Sequence, residues 1–181
     1  MRASKSSRSS HTYMAEFQKN GAMAERRFEL AGMAATVALA ARLGPLLRAG
    51  DVVALFGGLG AGKTAFARAL IQALQAPLGD VEEVPSPTFS LVQHYQIGPL
   101  EVWHFDLYRI AAPEETFELG LEEALAAGVC LIEWPERLGP LLPAQRLEIY
   151  LEIPSDAGFE DTRRRARLAG YGGWVERIKN V

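Results

Sequence analysis

Eight consecutive residues, Gly57-Gly58-Leu59-Gly60-Ala61-Gly62-Lys63-Thr64, satisfy the pattern Gly-x-x-x-x-Gly-Lys-[Ser/Thr] in full. The residue types suit phosphate chemistry. Glycines let a backbone turn through positive φ and bring its N–H groups close to anionic oxygens with no Cβ in the way. Such N–H groups converge as an anion nest, and a helix beginning where the loop ends adds its positive pole. Lys63 is spaced to reach β- and γ-phosphates, and the Thr64 hydroxyl to ligate Mg²⁺. Gly57, Leu59, Gly60, Ala61, Gly62, Lys63 and Thr64 are therefore the first candidate ligands, for a nucleoside triphosphate with magnesium. No guanine-reading Asn-Lys-x-Asp motif occurs, so ATP is the expected nucleotide.

A phosphate loop by itself binds; turnover also requires a metal shell and a positioned water. Glu133 ends the apolar run Val129-Cys130-Leu131-Ile132, where it would point into the crevice at the carboxyl edge of a sheet. Asp106 lies near another strand end, in Trp103-His104-Phe105-Asp106-Leu107-Tyr108-Arg109. Either acid could serve the metal or the water, or could instead be a surface acid or a partner for Arg109 or Arg137. Thr88 stands in the rigid stretch Ser86-Pro87-Thr88-Phe89, which could bring a hydroxyl near a γ-phosphate as switch loops do, or could be an ordinary turn.

The elements that must position these residues are legible in outline. Asp51-Val52-Val53-Ala54-Leu55-Phe56 is a short apolar run that fits a strand buried on both faces, directly before the loop. Lys63 to Leu74 lacks Gly and Pro, and Phe66, Leu70 and Leu74 recur every four residues, which predicts a helix directly after it. Upstream, about Leu30 to Arg48 has helical spacing up to Gly44-Pro45. Ser90 to Tyr95 and Glu101 to Leu107 read as two strands around a Gly98-Pro99 turn. Pro113-Glu114-Glu115 suits a helix start, and Gly128 its end before the strand at Val129. Leu147 to Ile153 and Arg163 to Leu168 read as further strands, the latter a solvated edge, followed by a short helix from Trp174 to Ile178. The expected fold is α/β: one P-loop NTPase-like domain over residues 26–181, with a small mixed sheet flanked by helices.

The chain has 181 residues, 49% hydrophobic and 23% charged, with a net charge of −3, the ordinary balance of a globular domain. Broad nucleic-acid binding usually needs a basic surface and is not favoured. Cys130 is the single cysteine, so no intramolecular disulfide can form, and its apolar neighbours predict a buried, inert thiol. No run of eighteen apolar residues occurs, so neither a membrane-spanning helix nor a membrane partner is expected, and the composition suits the cytoplasm. Met1 to Ser10 is rich in Ser and Arg, as transit peptides are, but lacks their amphipathic stripe; residues 1–25 are expected to be a disordered extension outside the fold.

Taken together, Thr36 with Leu39-Ala40, Leu59 to Thr64, Ser86-Pro87-Thr88-Phe89, His104 to Arg109, Glu118-Leu119-Gly120-Leu121 and Ile132-Glu133-Trp134-Pro135-Glu136 resemble the TsaE family, over about Leu30 to Ile153. That family comprises small bacterial ATPases required for making threonylcarbamoyladenosine (t6A) in tRNA. The resemblance implies that Lys63 and Thr64 hold phosphate and Mg²⁺, and that Glu133 is the metal-associated acid. It likewise makes Asp106 a second essential acid, Thr88 a switch-like threonine, Trp134 a required Trp, and the region of Thr36 a part packing near the base. The implied partners are TsaB and TsaD, with tRNA engaged only indirectly through that complex, and hydrolysis would reset the complex between turnovers. Gly58 departs from the family pattern, which usually has an acid there, and Arg163, Arg164, Arg165 and Arg167 receive no role from it. Two other readings remain for a short P-loop domain: a small-molecule kinase with an arginine-bearing lid, and a nucleotide-gated regulatory module with negligible hydrolysis.

Overall fold

In the computed structural model, residues 23–79, 81–158 and 161–181 are described, and the expectation for the first twenty-two residues lies outside them. The chain opens with an edge strand, β1 (Met23–Leu30), and the helix α1 (Met33–Leu43), which stops at Gly44-Pro45. Strand β2 (Val52–Phe56) leads through the glycine loop into α2 (Lys63–Gln75). A hairpin follows, β3 (Val92–Ile97) and β4 (Leu100–Asp106), turning on Gly98-Pro99 with Ile97 opposite Leu100. A short 3-10 segment, Pro113–Phe117, precedes α3 (Leu121–Ala127) and β5 (Val129–Glu133). A second 3-10 segment, Pro135–Leu141, leads to β6 (Leu147–Glu152), β7 (Arg164–Tyr171) and the terminal turn of helix α4 (Trp174–Arg177).

All seven strands join one mixed sheet in the order β1-β7-β6-β2-β5-β4-β3. The inner four, β6-β2-β5-β4, run parallel, and the flanking pairs are antiparallel. Parallel strands are covered on both faces and read as unbroken apolar runs, as β2 and β5 do. One core packs α1 and α2 against Val53, Leu55, Leu131, Ile149 and Leu168. The other packs the 113–141 region against Val52, Ala54, Phe105, Cys130 and Ile132. Phe66, Leu70 and Ile71 on α2 are fully buried; each side chain so buried contributes roughly 1.5–3 kcal/mol. They fix the helix that begins at Lys63, and with it the loop.

Three features differ from the sequence reading. The sequence pattern does not predict the strand β1: between its ends Met-Ala-Glu-Arg-Arg-Phe-Glu-Leu has only Ala24 and Phe28 as apolar residues, because most of its side chains face water at a sheet edge. It begins inside the stretch 1–25 expected to be an extension, with Met23, Ala24 and Glu25 paired to Tyr171, Gly170 and Ala169. Because β1 covers that side, β7 is an interior strand between β6 and β1 rather than a solvated edge, and its arginines cannot form a lid. Finally, the helix expected from Pro113 is divided: Glu115 Oε1 accepts from the N–H groups of Ala111 and Ala112, but Gly120, at φ 79°, interrupts the turn before α3.

Candidate functional site

The loop from Gly57 to Thr64 joins a buried strand to a helix, which is the context its pattern requires. At Gly57 φ is 145°, and a Cβ there would sit 2.5 Å from the Leu151 carbonyl oxygen and 2.9 Å from the Ala61 Cβ, so only glycine fits. Gly60 and Gly62 have φ of 76° and 102°. A Cβ on Gly58, Gly60 or Gly62 would meet nothing within 4 Å, which leaves that side of the loop open. Leu59, at the apex, is 81% exposed.

Lys63 follows on the first turn of α2. Its Nζ donates to the Gly57 and Gly58 carbonyls at 2.6 and 2.9 Å and lies 3.7 Å from the centroid of the Trp134 ring. Burial lowers the Lys63 pKa, while Glu133, Glu136 and Asp106 act in the opposite sense and favour the charged amine. The adjacent Thr64 Oγ1 donates to Glu133 Oε2 at 2.9 Å, which ties the loop to the end of β5. The other Glu133 oxygen lies 2.9 Å from His104 Nε2. An ionised carboxylate only accepts, so that arrangement puts the shared proton on Nε2.

Asp106 ends β4 and is the register partner of Glu133, so the two acids stand side by side at the carboxyl edge of the sheet. Asp106 Oδ2 accepts from Thr88 Oγ1 at 2.9 Å, and Oδ1 from the Tyr108 N–H at 3.1 Å. Ser86 Oγ is 2.8 Å from the Thr88 hydroxyl. The loop carrying Thr88 is closed by the Leu91 N–H on Pro87 O at 2.6 Å, and Leu91 itself has a φ of 66°. Neither acid has Arg109 or Arg137 as a hydrogen-bond partner; Arg109 instead lies 4.7 Å over the Phe89 ring.

Trp134 adopts φ 56° and ψ 49°. A bulky residue in that region costs on the order of 1–3 kcal/mol and persists only where surrounding contacts hold it. Those contacts are the Lys63 amine and the Tyr108 ring, whose centroid is 4.9 Å from that of Trp134. One connected set of contacts therefore joins Lys63, Thr64, Glu133, Trp134, Asp106 and Thr88. Thr36 stands apart from it: buried on α1, its hydroxyl directed at Gly32 O at 3.5 Å.

Sequence reasoning had no role for three residues the geometry draws in. His104 and Asp106 alternate on one face of β4, a period-two signal that would have paired them. Tyr108 supports Trp134. Arg164 reaches the loop from β7 and carries no local signal at all.

The donor set fits magnesium. Thr64 and Glu133 offer hard oxygens beside the loop, and Mg²⁺ is usually held by one or two protein oxygens, substrate phosphates and water. Among the described residues no three His, Cys, Asp or Glu side chains gather as a protein-only metal cage.

Residues 30–164 match the model of a family described as threonylcarbamoyl adenosine biosynthesis protein TsaE. The chain is 43% identical over 118 residues to the tRNA threonylcarbamoyladenosine biosynthesis protein TsaE of Rickettsia felis, covering 65% of this chain and 67% of that one. It is 42% identical over 121 residues to the protein of the same description from Treponema pallidum, covering 66% and 86%. The crystal structure of Bacillus subtilis YdiB superposes with a TM-score of 0.67 at 27% identity, covering 88% of this chain and 95% of that one.

Proposed function

This chain belongs to the TsaE family of threonylcarbamoyladenosine biosynthesis proteins, and from that premise we propose that it binds ATP with magnesium at the Gly57–Thr64 loop and hydrolyses it. The observation that carries the reading is the Thr64–Glu133 hydrogen bond, which sets a strand-end carboxylate beside the loop's metal-directed hydroxyl. Backbone N–H groups of the loop and the start of α2 take the phosphate charge, and Lys63 moves from the Gly57 and Gly58 carbonyls onto the phosphates. Thr64 and Glu133 would hold the metal, which would supply positive charge to the phosphates. His104 keeps Glu133 oriented. Asp106 orients the attacking water, and Thr88, hydrogen-bonded to it, couples that acid to the Ser86–Phe89 loop.

In this reading hydrolysis serves the t6A machinery by resetting a TsaB–TsaD complex, with tRNA met only through that complex, in the cytoplasm. Exposed apolar side chains on the segments that carry the site support a protein partner: Phe89, next to Thr88, is 85% exposed, and Leu59 in the loop and Tyr108 against Trp134 are also exposed. No helix among the described residues is long and apolar enough to cross a membrane. Calorimetric titration with ATP, with and without magnesium, tests the site. Lys63→Ala should abolish measurable binding, and Thr64→Ala should remove the effect of magnesium. Tight binding by Lys63→Ala would reject the assignment.

A further inference from the structure

We propose that Arg164, the residue that opens β7, is the positioning residue of the phosphate loop, holding its peptide groups in the orientation that receives phosphate. The proposal rests on the nucleotide-binding reading above and deepens it. Arg164 is separated from the loop by about a hundred residues of chain, yet its guanidinium reaches two successive loop carbonyls. Nε donates to Ala61 O at 3.1 Å and Nη2 to Gly60 O at 3.2 Å. The third nitrogen, Nη1, anchors the group on the segment just before its strand, through Asp161 O at 3.1 Å and Arg163 O at 2.7 Å. The fork is thus fixed at one end and grips the loop with the other.

The consequence follows from peptide geometry. In a trans peptide the C=O and the next N–H point in opposite directions. Holding Ala61 O outward on Arg164 therefore turns the Gly62 N–H away from the guanidinium, towards the open side of the loop. The same bond on Gly60 O fixes the Ala61 N–H, which closes the turn onto Gly58 O at 3.2 Å. Four of the six residues from Gly57 to Gly62 are glycine, and each loses more backbone freedom on ordering than any other residue type. A planar, always-charged fork on two adjacent carbonyls offsets that loss before any phosphate arrives.

The other arginines of the segment behave differently. Arg163 pairs with Asp161 at 2.6 Å, Arg165 with Glu29 at 3.1 Å and Arg167 with Glu25 at 3.3 Å. Arg164 directs its hydrogen bonds to carbonyls, and so also adds positive charge behind an anion site. The sheet places it there: the start of β7 pairs with the end of β6, and β6 lies beside the end of β2 from which the loop springs.

The test compares wild type, Arg164→Ala, Arg164→Lys and Lys63→Ala by ATP calorimetry, apo thermal unfolding and amide exchange across residues 58–63. Arg164→Ala should weaken ATP binding about tenfold or more and raise KM with kcat at saturating ATP retained. Exchange at Gly60 to Lys63 should quicken, with the apo melting point close to wild type. Arg164→Lys should recover only part of the affinity, because an ammonium cannot bridge both carbonyls in one plane. Unchanged ATP affinity in Arg164→Ala would overturn the proposal, as would a lowered melting point with unchanged affinity, which would make Arg164 a strap for β7 alone. Wild type and Lys63→Ala binding ATP equally, or neither binding it, would instead reject the nucleotide reading itself and the proposal with it.

Discussion

Replacing Glu133 with glutamine separates charge from shape at the centre of the site. Glu133 is 2% exposed, accepts from Thr64 Oγ1 through one oxygen and sits against His104 Nε2 through the other, both at 2.9 Å. Glutamine has the same reach: its carbonyl can accept from His104 and its amide can donate to the Thr64 hydroxyl. Stability should therefore stay within ~1 kcal/mol of wild type, since both buried partners remain satisfied. Catalysis should not survive so well. Losing one preorganised transition-state stabiliser, such as an oxyanion-hole donor, costs about 2.7–4 kcal/mol, or a hundred- to a thousandfold in rate, and loss of the metal-holding charge is expected on that scale. ATP binding should change far less, because the loop backbone and Lys63 remain. Glu133→Ala supplies the contrast: it leaves the fully buried His104 Nε2 without an acceptor, a loss of roughly 1–3 kcal/mol and several degrees of melting temperature. Steady-state hydrolysis, ATP calorimetry and thermal unfolding on the two variants decide the matter. Wild-type turnover in Glu133→Gln would refute the metal role, and a collapse in its stability would show that the carboxylate is held for structure.

Other expectations follow from the same geometry. Gly57→Ala should destabilise the protein by more than ~3 kcal/mol and abolish ATP binding, because the new Cβ would lie 2.5 Å from Leu151 O at a φ of 145°; denaturant unfolding with wild-type stability would contradict this. Thr88→Val, which keeps the volume but deletes the donor to Asp106 Oδ2, should lower kcat about tenfold while leaving the ATP dissociation constant unchanged, and an unaltered kcat would sever the loop from the reaction. Burial raises the Cys130 thiol from 9.0 to about 12. A raised folded-state pKa stabilises below the unfolded value and loses that effect as pH climbs, so stability should fall between pH 9.0 and about 12. Cys130→Ala should have a shallower slope over that window in urea melts, and equal slopes would rule the thiol out.

Local chemistry made the centre of this molecule readable. The loop from Gly57 to Thr64 and the apolar runs of β2 and β5 announce themselves because each residue's type answers to a neighbour a few positions away. The positions of Asp106 and Glu133 as register partners follow once β4 and β5 are parallel neighbours, but alternation alone left both acids with two readings. What could not be read depends on contacts between distant segments. β1 lacks an apolar stripe because it sits at an edge, and Arg164 finds the loop only because β7 pairs with β6 and β6 with β2. The left-handed backbone of Trp134 is likewise invisible in a sequence, since Lys63 and Tyr108 hold it from other elements.

The most direct experiment is magnesium-dependent ATP hydrolysis by the full chain, alone and with purified TsaB and TsaD, with Lys63→Ala as the blank. Slow turnover alone, stimulated by the pair and lost in Lys63→Ala, is the predicted result. Turnover indifferent to TsaB and TsaD would contradict the role in t6A synthesis, and turnover persisting in Lys63→Ala would contradict the site itself.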